Sequence, residues 1–220
     1  MKKLAIFDLD GTLVSSIDDI TRCVNEAFEY FNIPSITKDQ CMKSLGHGAR
    51  SLVISSLEYS GYTPSSDAER EDIINKYNEI YGLCDQAATK PFDGIMQMLK
   101  NIRKAGYRTA IVSNKPHPLT LKMSQNLFGE LIETTYGQSD MFPKKPDPTI
   151  IKHLPSEFGI DASESVYIGD TDVDVMTAKN SGMRAVAVSW GYRSRDIIEA
   201  AGPDYIADTV EELEKIFHII

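Results

Sequence analysis

The first apolar run of the chain, Lys3 to Phe7, stops at two carboxylates set two positions apart, in Asp8-Leu9-Asp10-Gly11-Thr12. Such a pair can divide the labour of phosphate-ester cleavage. Attack by one carboxylate gives an acyl-phosphate and splits a slow hydrolysis into two easier displacements. The other can protonate the leaving oxygen and then deprotonate water. Asp8 is placed as the nucleophile and Asp10 as the acid/base, with Gly11 permitting the turn that brings backbone N–H groups toward a bound anion. Taken alone, the same residues also describe an acidic turn at a strand end.

A second acidic group stands in Gly169-Asp170-Thr171-Asp172-Val173-Asp174. It is not a calcium loop of the EF-hand kind, because the required glycine is replaced by Val175 and the closing glutamate by Ser181. Asp170 is better placed as a metal ligand, while Asp172 suits the N-terminal dipole of a helix. Carboxylates converging on one crevice repel each other unless a cation joins them, and oxygen-only ligands beside a phosphate favour Mg2+. Lys145, in Lys144-Lys145-Pro146-Asp147-Pro148, supplies a point charge for phosphoryl oxygens and for Asp8. Ser113 and Asn114 add a hydroxyl and an amide donor, although Ser-Asn after a strand is also a common turn or cap.

These residues must be brought together by the elements that carry them. Short apolar runs recur at Tyr107 to Val112, Ser165 to Ile168, Ala185 to Val188 and Asp204 to Ala207, as expected of strands covered on both faces. Helical spacing separates them: Ile95, Met98, Leu99 and Ile102, then Leu119 to Phe128, Pro148 to Phe158, Val173 to Ser181, and Val210, Leu213, Ile216 and Phe217. Alternation of this kind predicts an α/β fold with a parallel sheet, whose ligands sit beyond the carboxyl ends of the strands.

From Ser15 to about Lys90 the alternation stops. Ile17, Ile20, Val24, Ala27, Phe28 and Phe31 mark one amphipathic helix, and further helices are expected around Lys38 to Leu45, Arg50 to Ser60 and Asp67 to Tyr81. The expected organisation is a Rossmann-like core from residues 1–14 and 90–220, with an all-helical cap domain of residues 15–89 inserted after the first strand.

In this order the motifs resemble those of the haloacid dehalogenase-like hydrolase superfamily over nearly the full chain. They are Asp8-Leu9-Asp10-Gly11-Thr12-Leu13-Val14, Ser113-Asn114-Lys115-Pro116, Lys145-Pro146 and Gly169-Asp170-Thr171-Asp172-Val173-Asp174. The resemblance implies that Asp8 is the nucleophile and Asp10 the acid/base. It implies Mg2+ held by Asp8, the Asp10 backbone carbonyl and Asp170, with Asp174 orienting Lys145 or holding a metal-bound water. Ser113 and Asn114 would bind the transferring phosphoryl group and Lys145 would neutralise charge. An acid at Asp10 implies phosphate-ester chemistry rather than dehalogenation. One departure is Ser15, where the family usually has Asp, outside the catalytic set.

Within that family, Ser113-Asn114-Lys115-Pro116, Lys145-Pro146-Asp147-Pro148, Trp190-Gly191-Tyr192 and Gly46-His47-Gly48-Ala49-Arg50 resemble phosphoglycolate phosphatases. The implied substrate is 2-phosphoglycolate, with Arg50 pairing with its carboxylate as the cap closes over the crevice and excludes water. The alternatives are a β-phosphoglucomutase-like phosphomutase, a pyrophosphatase or nucleotidase of the same superfamily and, from another class, a non-catalytic phosphate-binding protein. Arg50 and His47 also fit exposed positions on a helix start and a loop.

Composition excludes other classes. Of 220 residues 42% are hydrophobic, enough for a buried core. The 32 acidic residues against 23 basic give a net charge of −9, which repels nucleic acid and anionic membranes. Met1-Lys2-Lys3 is followed by too short an apolar run for an export signal, and no run approaches the roughly 18 apolar residues of a membrane span. A soluble cytoplasmic enzyme, monomer or homodimer, acting on a small phosphorylated metabolite is expected. Cys23, Cys41 and Cys84 are odd in number and widely spaced, which favours buried thiols over disulfides or zinc. His117, His153 and His218 follow no metal spacing. Trp190 is expected to pack under a loop at a strand end.

Overall fold

The computed structural model describes residues 3–220; the basic start at Met1 and Lys2 lies outside the described residues. The chain separates into two compact units, one running through Ser15 and resuming at Lys90–Ile220, the other Ser16–Thr89.

The first unit contains strands β1 (Lys3–Phe7), β2 (Val14–Ser15), β3 (Lys90–Pro91), β4 (Tyr107–Pro116), β5 (Thr134–Gln138), β6 (Ser165–Gly169), β7 (Arg184–Val188) and β8 (Tyr205–Ala207). Six of them form one sheet in the order β5-β4-β1-β6-β7-β8, with every pairing parallel. This is a Rossmann-like α/β core. The short β2 and β3 form a separate antiparallel pair, Val14 opposite Pro91 and Ser15 opposite Lys90, where the chain leaves and re-enters the core.

The period of two in a strand explains the two-sided apolar runs. On β1, Ala5 and Phe7 enter one buried cluster while Leu4 and Ile6 enter the other. On β7, Val186 and Val188 face the first cluster, and Ala185 and Ala187 the second. The first face is covered by α5 (Ile95–Lys104), α6 (His117–Phe128) and α10 (Val210–Phe217), and the second by α7 (Thr149–Phe158), α8 (Asp172–Asn180) and α9 (Arg195–Ala201). On α5 the buried stripe is Ile95, Met98, Leu99 and Ile102, the spacing of one helix face. Burying each such side chain contributes roughly 1.5–3 kcal/mol before chain entropy is subtracted.

The second unit holds α1 (Ile17–Tyr30), α2 (Lys38–Ser44), α3 (Ala49–Ser60) and α4 (Asp67–Leu83), and no strand among the described residues. Ile17, Ile20, Cys23, Val24, Ala27 and Phe28 form the buried stripe of α1. Thr37 opens α2 with a capping box to Gln40, and Ser66 caps α4 by accepting from the Glu69 N–H. None of the helices is long and apolar enough to cross a membrane among the described residues.

Beyond the two-residue strands β2 and β3, three elements depart from the sequence expectation. β4 continues past Val112 to Pro116, so Ser113 and Asn114 lie within it instead of after it. β5 was not expected, because Thr134-Thr135-Tyr136-Gly137-Gln138 has no apolar run; it is an edge strand paired on one side only, by β4. α9 is a short helix with Ile198 as its one buried residue, too brief to show a period.

Candidate active site

The carboxyl end of β1 is fixed by its central position in the sheet. The Asp8 N–H donates to the Ile168 carbonyl on β6 at 2.8 Å, and the Leu9 carbonyl accepts from Thr12, Leu13 and Val14 N–H at 3.3, 3.0 and 3.1 Å. This folded turn displays Asp8 and Asp10 together at the end of β1.

Asp8, Asp170 and Asp174 are buried, and one carboxylate oxygen from each lies within 4.8 Å of the others. Lys145, itself buried, bridges two of them: its Nζ is 2.9 Å from Asp8 Oδ1 and donates to Asp174 Oδ1 at 2.6 Å. Asp8 Oδ1 sits at ion-pair distance from that ammonium but has no well-directed hydrogen bond. Burial raises Asp8 to about 6, against the opposing pull of Lys145, with the Asp174 and Asp10 charges adding to the rise. Asp170 rises further, to about 8, first through burial and then through repulsion by Asp174 and Asp8. Burial alone would depress Lys145, but the Asp174 and Asp8 charges outweigh it and hold the ammonium protonated.

Asp170 is cradled tightly. Its Oδ1 accepts from Thr12 Oγ1 at 2.9 Å and its Oδ2 from the Tyr192 N–H at 2.8 Å. A Cβ on Gly11 would lie 2.4 Å from Asp170 Oδ2, and one on Gly191 would lie 2.2 Å from Asp170 Cβ. Gly11 also has φ +86°, so two independent constraints exclude a side chain there. The Trp190 indole N–H donates to the Thr12 carbonyl at 3.1 Å, tying the loop after β7 to the turn after β1.

Asp174 serves two neighbours. As the third residue of α8 it accepts from Thr171 N–H at 3.0 Å and Thr171 Oγ1 at 2.7 Å through Oδ2, closing a capping box, while Oδ1 takes Lys145. Asp172 faces elsewhere and pairs with Arg193 at 3.4 Å.

The Asp10 side chain is not in the carboxylate trio. It is held by Lys115, whose Nζ donates to both carboxylate oxygens at 3.0 and 3.2 Å. Lys115 had no role assigned from sequence, although its place directly after Ser113-Asn114 was the available signal. Asn114 also differs from expectation: its Oδ1 accepts from the Lys145 N–H at 2.7 Å and its Nδ2 donates to the Lys145 carbonyl at 3.1 Å. The amide thus clamps the backbone of Lys145 instead of standing as an open phosphate donor. Ser113 Oγ accepts from the Lys115 N–H at 3.3 Å, a bond that leaves the hydroxyl proton for an anion.

Arg50 lies in the helical unit, exposed, and forms a two-pronged pair with Glu71, Nη1 to Oε2 at 2.6 Å. His47 is exposed on the loop before α3.

The three-carboxylate trio can hold a metal ion. Its donors are all oxygen, one ammonium only partly offsets their charge, and the upward displacement of Asp8 and Asp170 marks the repulsion a hard cation would relieve.

Residues 5–188 match the family model for haloacid dehalogenase-like hydrolase. The phosphoglycolate phosphatase of Vibrio parahaemolyticus is 30% identical over 220 residues, covering 97% of this chain and 95% of its own. That of Haemophilus influenzae is 28% identical, covering 96% of each. A solved structure from Lactobacillus delbrueckii subsp. bulgaricus, described as an assumed phosphoglycolate phosphatase, is 30% identical with a TM-score of 0.93 over 99% of both chains. A haloacid dehalogenase-like family protein from Streptococcus pneumoniae, 24% identical, shares the fold with a TM-score of 0.87 over 98% of both chains.

Proposed function

Because the chain belongs to the haloacid dehalogenase-like hydrolase family, we propose that it is a Mg2+-dependent phosphatase cleaving a small phosphate monoester, 2-phosphoglycolate, through an aspartyl-phosphate on Asp8. The observation that carries the proposal is the buried Asp8 at the end of β1, ion-paired with Lys145 and grouped with Asp170 and Asp174.

Oxygens of Asp8 and Asp170, with Asp174 beside them, are the groups that would hold Mg2+; when bound, it draws charge from the phosphoryl oxygens and offsets the repulsion among the carboxylates. Asp8 attacks phosphorus and the ester P–O bond breaks, with Asp10 giving its proton to the departing alkoxide. Lys115 then stabilises the Asp10 carboxylate left behind. In the second step Asp10 takes a proton from water as its oxygen attacks phosphorus, and the Asp8 carboxylate departs. Lys145 balances charge on the phosphoryl group and Asp8, positioned by the Asn114 clamp on its backbone and by Asp174. Ser113 donates its hydroxyl to a phosphoryl oxygen. Exclusion of bulk water would strengthen each of these interactions.

For the substrate, support comes from relatives named as phosphoglycolate phosphatases along the whole length of the chain. We assign Arg50 to the substrate carboxylate, for which it would exchange its exposed Glu71 partner. The test is a comparison of kcat/KM with Mg2+ over phosphoglycolate, pyrophosphate, nucleoside monophosphates and hexose phosphates, with product analysis for isomerisation. Phosphoglycolate should stand well above the others and no isomerised sugar phosphate should form. A preference for another ester, or mutase products, would overturn the substrate assignment.

A further inference from the structure

The three cysteines are free and buried, but their surroundings differ. Cys41 is a plain core thiol, pushed up to about 11 chiefly by burial. Cys84, where the chain leaves α4, is surrounded by donors. Its Sγ accepts from Arg22 Nη2 at 3.2 Å and from the Gln86 backbone N–H at 3.3 Å. The Cys23 sulfhydryl, on α1, lies in hydrogen-bonding contact with the same sulfur.

Cys84 also belongs to a cluster with Asp19 and Asp85 whose donor atoms lie within 4.8 Å of one another. A metal is not needed there, because a guanidinium already occupies the centre: Arg22 Nη2 is 3.0 Å from Asp19 Oδ1 and 3.1 Å from Asp85 Oδ1 as well as 3.2 Å from Cys84 Sγ. The guanidinium and the backbone N–H aimed at the Cys84 sulfur stabilise the negative charge that develops on it as it attacks an oxidant. Burial and then the hydrogen bond to Cys84 push the Cys23 thiol upward, so Cys23 keeps its proton.

We propose that Cys84 is a site of oxidation by small hydroperoxides, with Cys23 as the resolving thiol, so that the product is a Cys23–Cys84 disulfide inside the helical unit. The Cys84 sulfur attacks the hydroperoxide, the O–O bond breaks, and the thiol proton goes to the departing oxygen, which leaves as an alcohol or water with Cys84 as its sulfenic acid. The Cys23 sulfur then attacks the Cys84 sulfur. The S–S bond forms as the S–O bond breaks, and hydroxide departs as water with the Cys23 proton. Two thiols are oxidised by two electrons and one hydroperoxide is reduced. The entry route suits a small oxidant: Cys84 is only 8% exposed, beneath Arg22 and Asp85 side chains that are 45% and 72% exposed.

The test treats the full chain with hydrogen peroxide, alkylates the remaining thiols and maps the peptides by mass spectrometry. A dithiothreitol-reducible peptide linking Cys23 to Cys84, with Cys41 alkylated, is expected. In Cys23→Ser the sulfenic acid should persist and be trapped by dimedone on Cys84. Arg22→Gln should slow formation of the disulfide about tenfold, because the cation facing the attacking sulfur is gone. Oxidation falling first on Cys41, or at the same pace on all three cysteines, would overturn the proposal. So would a dimedone adduct elsewhere than on Cys84 in Cys23→Ser.

Discussion

Lys115 Nζ reaches both carboxylate oxygens of Asp10, at 3.0 and 3.2 Å, from the strand next to the one that Asp10 follows. Lys115 is almost fully buried and Asp10 half-buried. Asp10 is therefore oriented by a fixed cation while Asp8 is oriented by a different one, Lys145. Two adjacent carboxylates with separate ammonium partners suit the two roles proposed for them. Replacing Lys115 by Met, which keeps length and removes charge, should lower kcat about 10- to 100-fold, the usual scale for disturbing a general acid/base. KM should change little. An unchanged kcat would remove Lys115 from the account.

The carboxylate trio makes metal affinity a function of pH. Asp8 and Asp170 are raised in the fold to about 6 and about 8, from 3.8. A raised carboxylate contributes stability that is complete below its unfolded value and is lost as pH rises through the folded one. The protein without metal should thus lose stability from this cluster between about pH 4 and pH 8, by the cited shifts. Because Mg2+ needs the ionised oxygens, the rise in thermal midpoint on adding MgCl2 should be larger at pH 8.5 than at pH 6. A rise independent of pH, or none, would count against the trio as the metal site.

Asp19 gives the opposite sign. It is buried in the helical unit and accepts from the Ala88 N–H at 3.1 Å, Thr89 Oγ1 at 2.7 Å and Arg22 Nη2 at 3.0 Å. Burial alone would raise it, but the bonds from Thr89 and Arg22 prevail and its carboxyl lies below the usual value. Its contribution is present above the unfolded value near 3.8 and is lost as pH falls through the lower folded one. Asp19→Ala should destabilise the protein at pH 7 by about 2–4 kcal/mol, since it strands buried donors and a guanidinium. Urea unfolding measures this, and a loss under about 0.5 kcal/mol, the scale of an ordinary surface change, would contradict it.

Arg50 is tested by selectivity. Arg50→Ala should raise KM for phosphoglycolate more than for a phosphate ester that lacks a carboxylate, while leaving the fold intact, because an exposed ion pair contributes little to stability. An equal effect on both esters would confine Arg50 to its pairing with Glu71.

The core was largely legible because its strands are buried on both faces and so read as unbroken apolar runs, as in Leu4-Ala5-Ile6-Phe7. The edge strand at Thr134–Gln138 was not, because one neighbour and partial burial demand no such run. Site residues were visible where chemistry restricts type: two acids at a strand end, a lysine before a helix, a Gly-Asp pair. What sequence could not supply was partnership. Nothing in Ser113-Asn114-Lys115 states that the asparagine clamps Lys145 or that the lysine turns to Asp10, because both partners are distant in sequence and meet only through the order of the sheet. Gly191 gave no sign of its packing against Asp170 for the same reason.

The central claim is covalent catalysis by Asp8. Wild-type enzyme turning over phosphoglycolate with Mg2+ should be quenched in acid within milliseconds, digested and mapped for a phosphoryl adduct. The account predicts that adduct on the peptide containing Asp8, on Asp8 itself, and its absence from Asp8→Asn together with loss of turnover. Phosphoryl label on Asp10 or on another residue, or substantial turnover by Asp8→Asn, would contradict it.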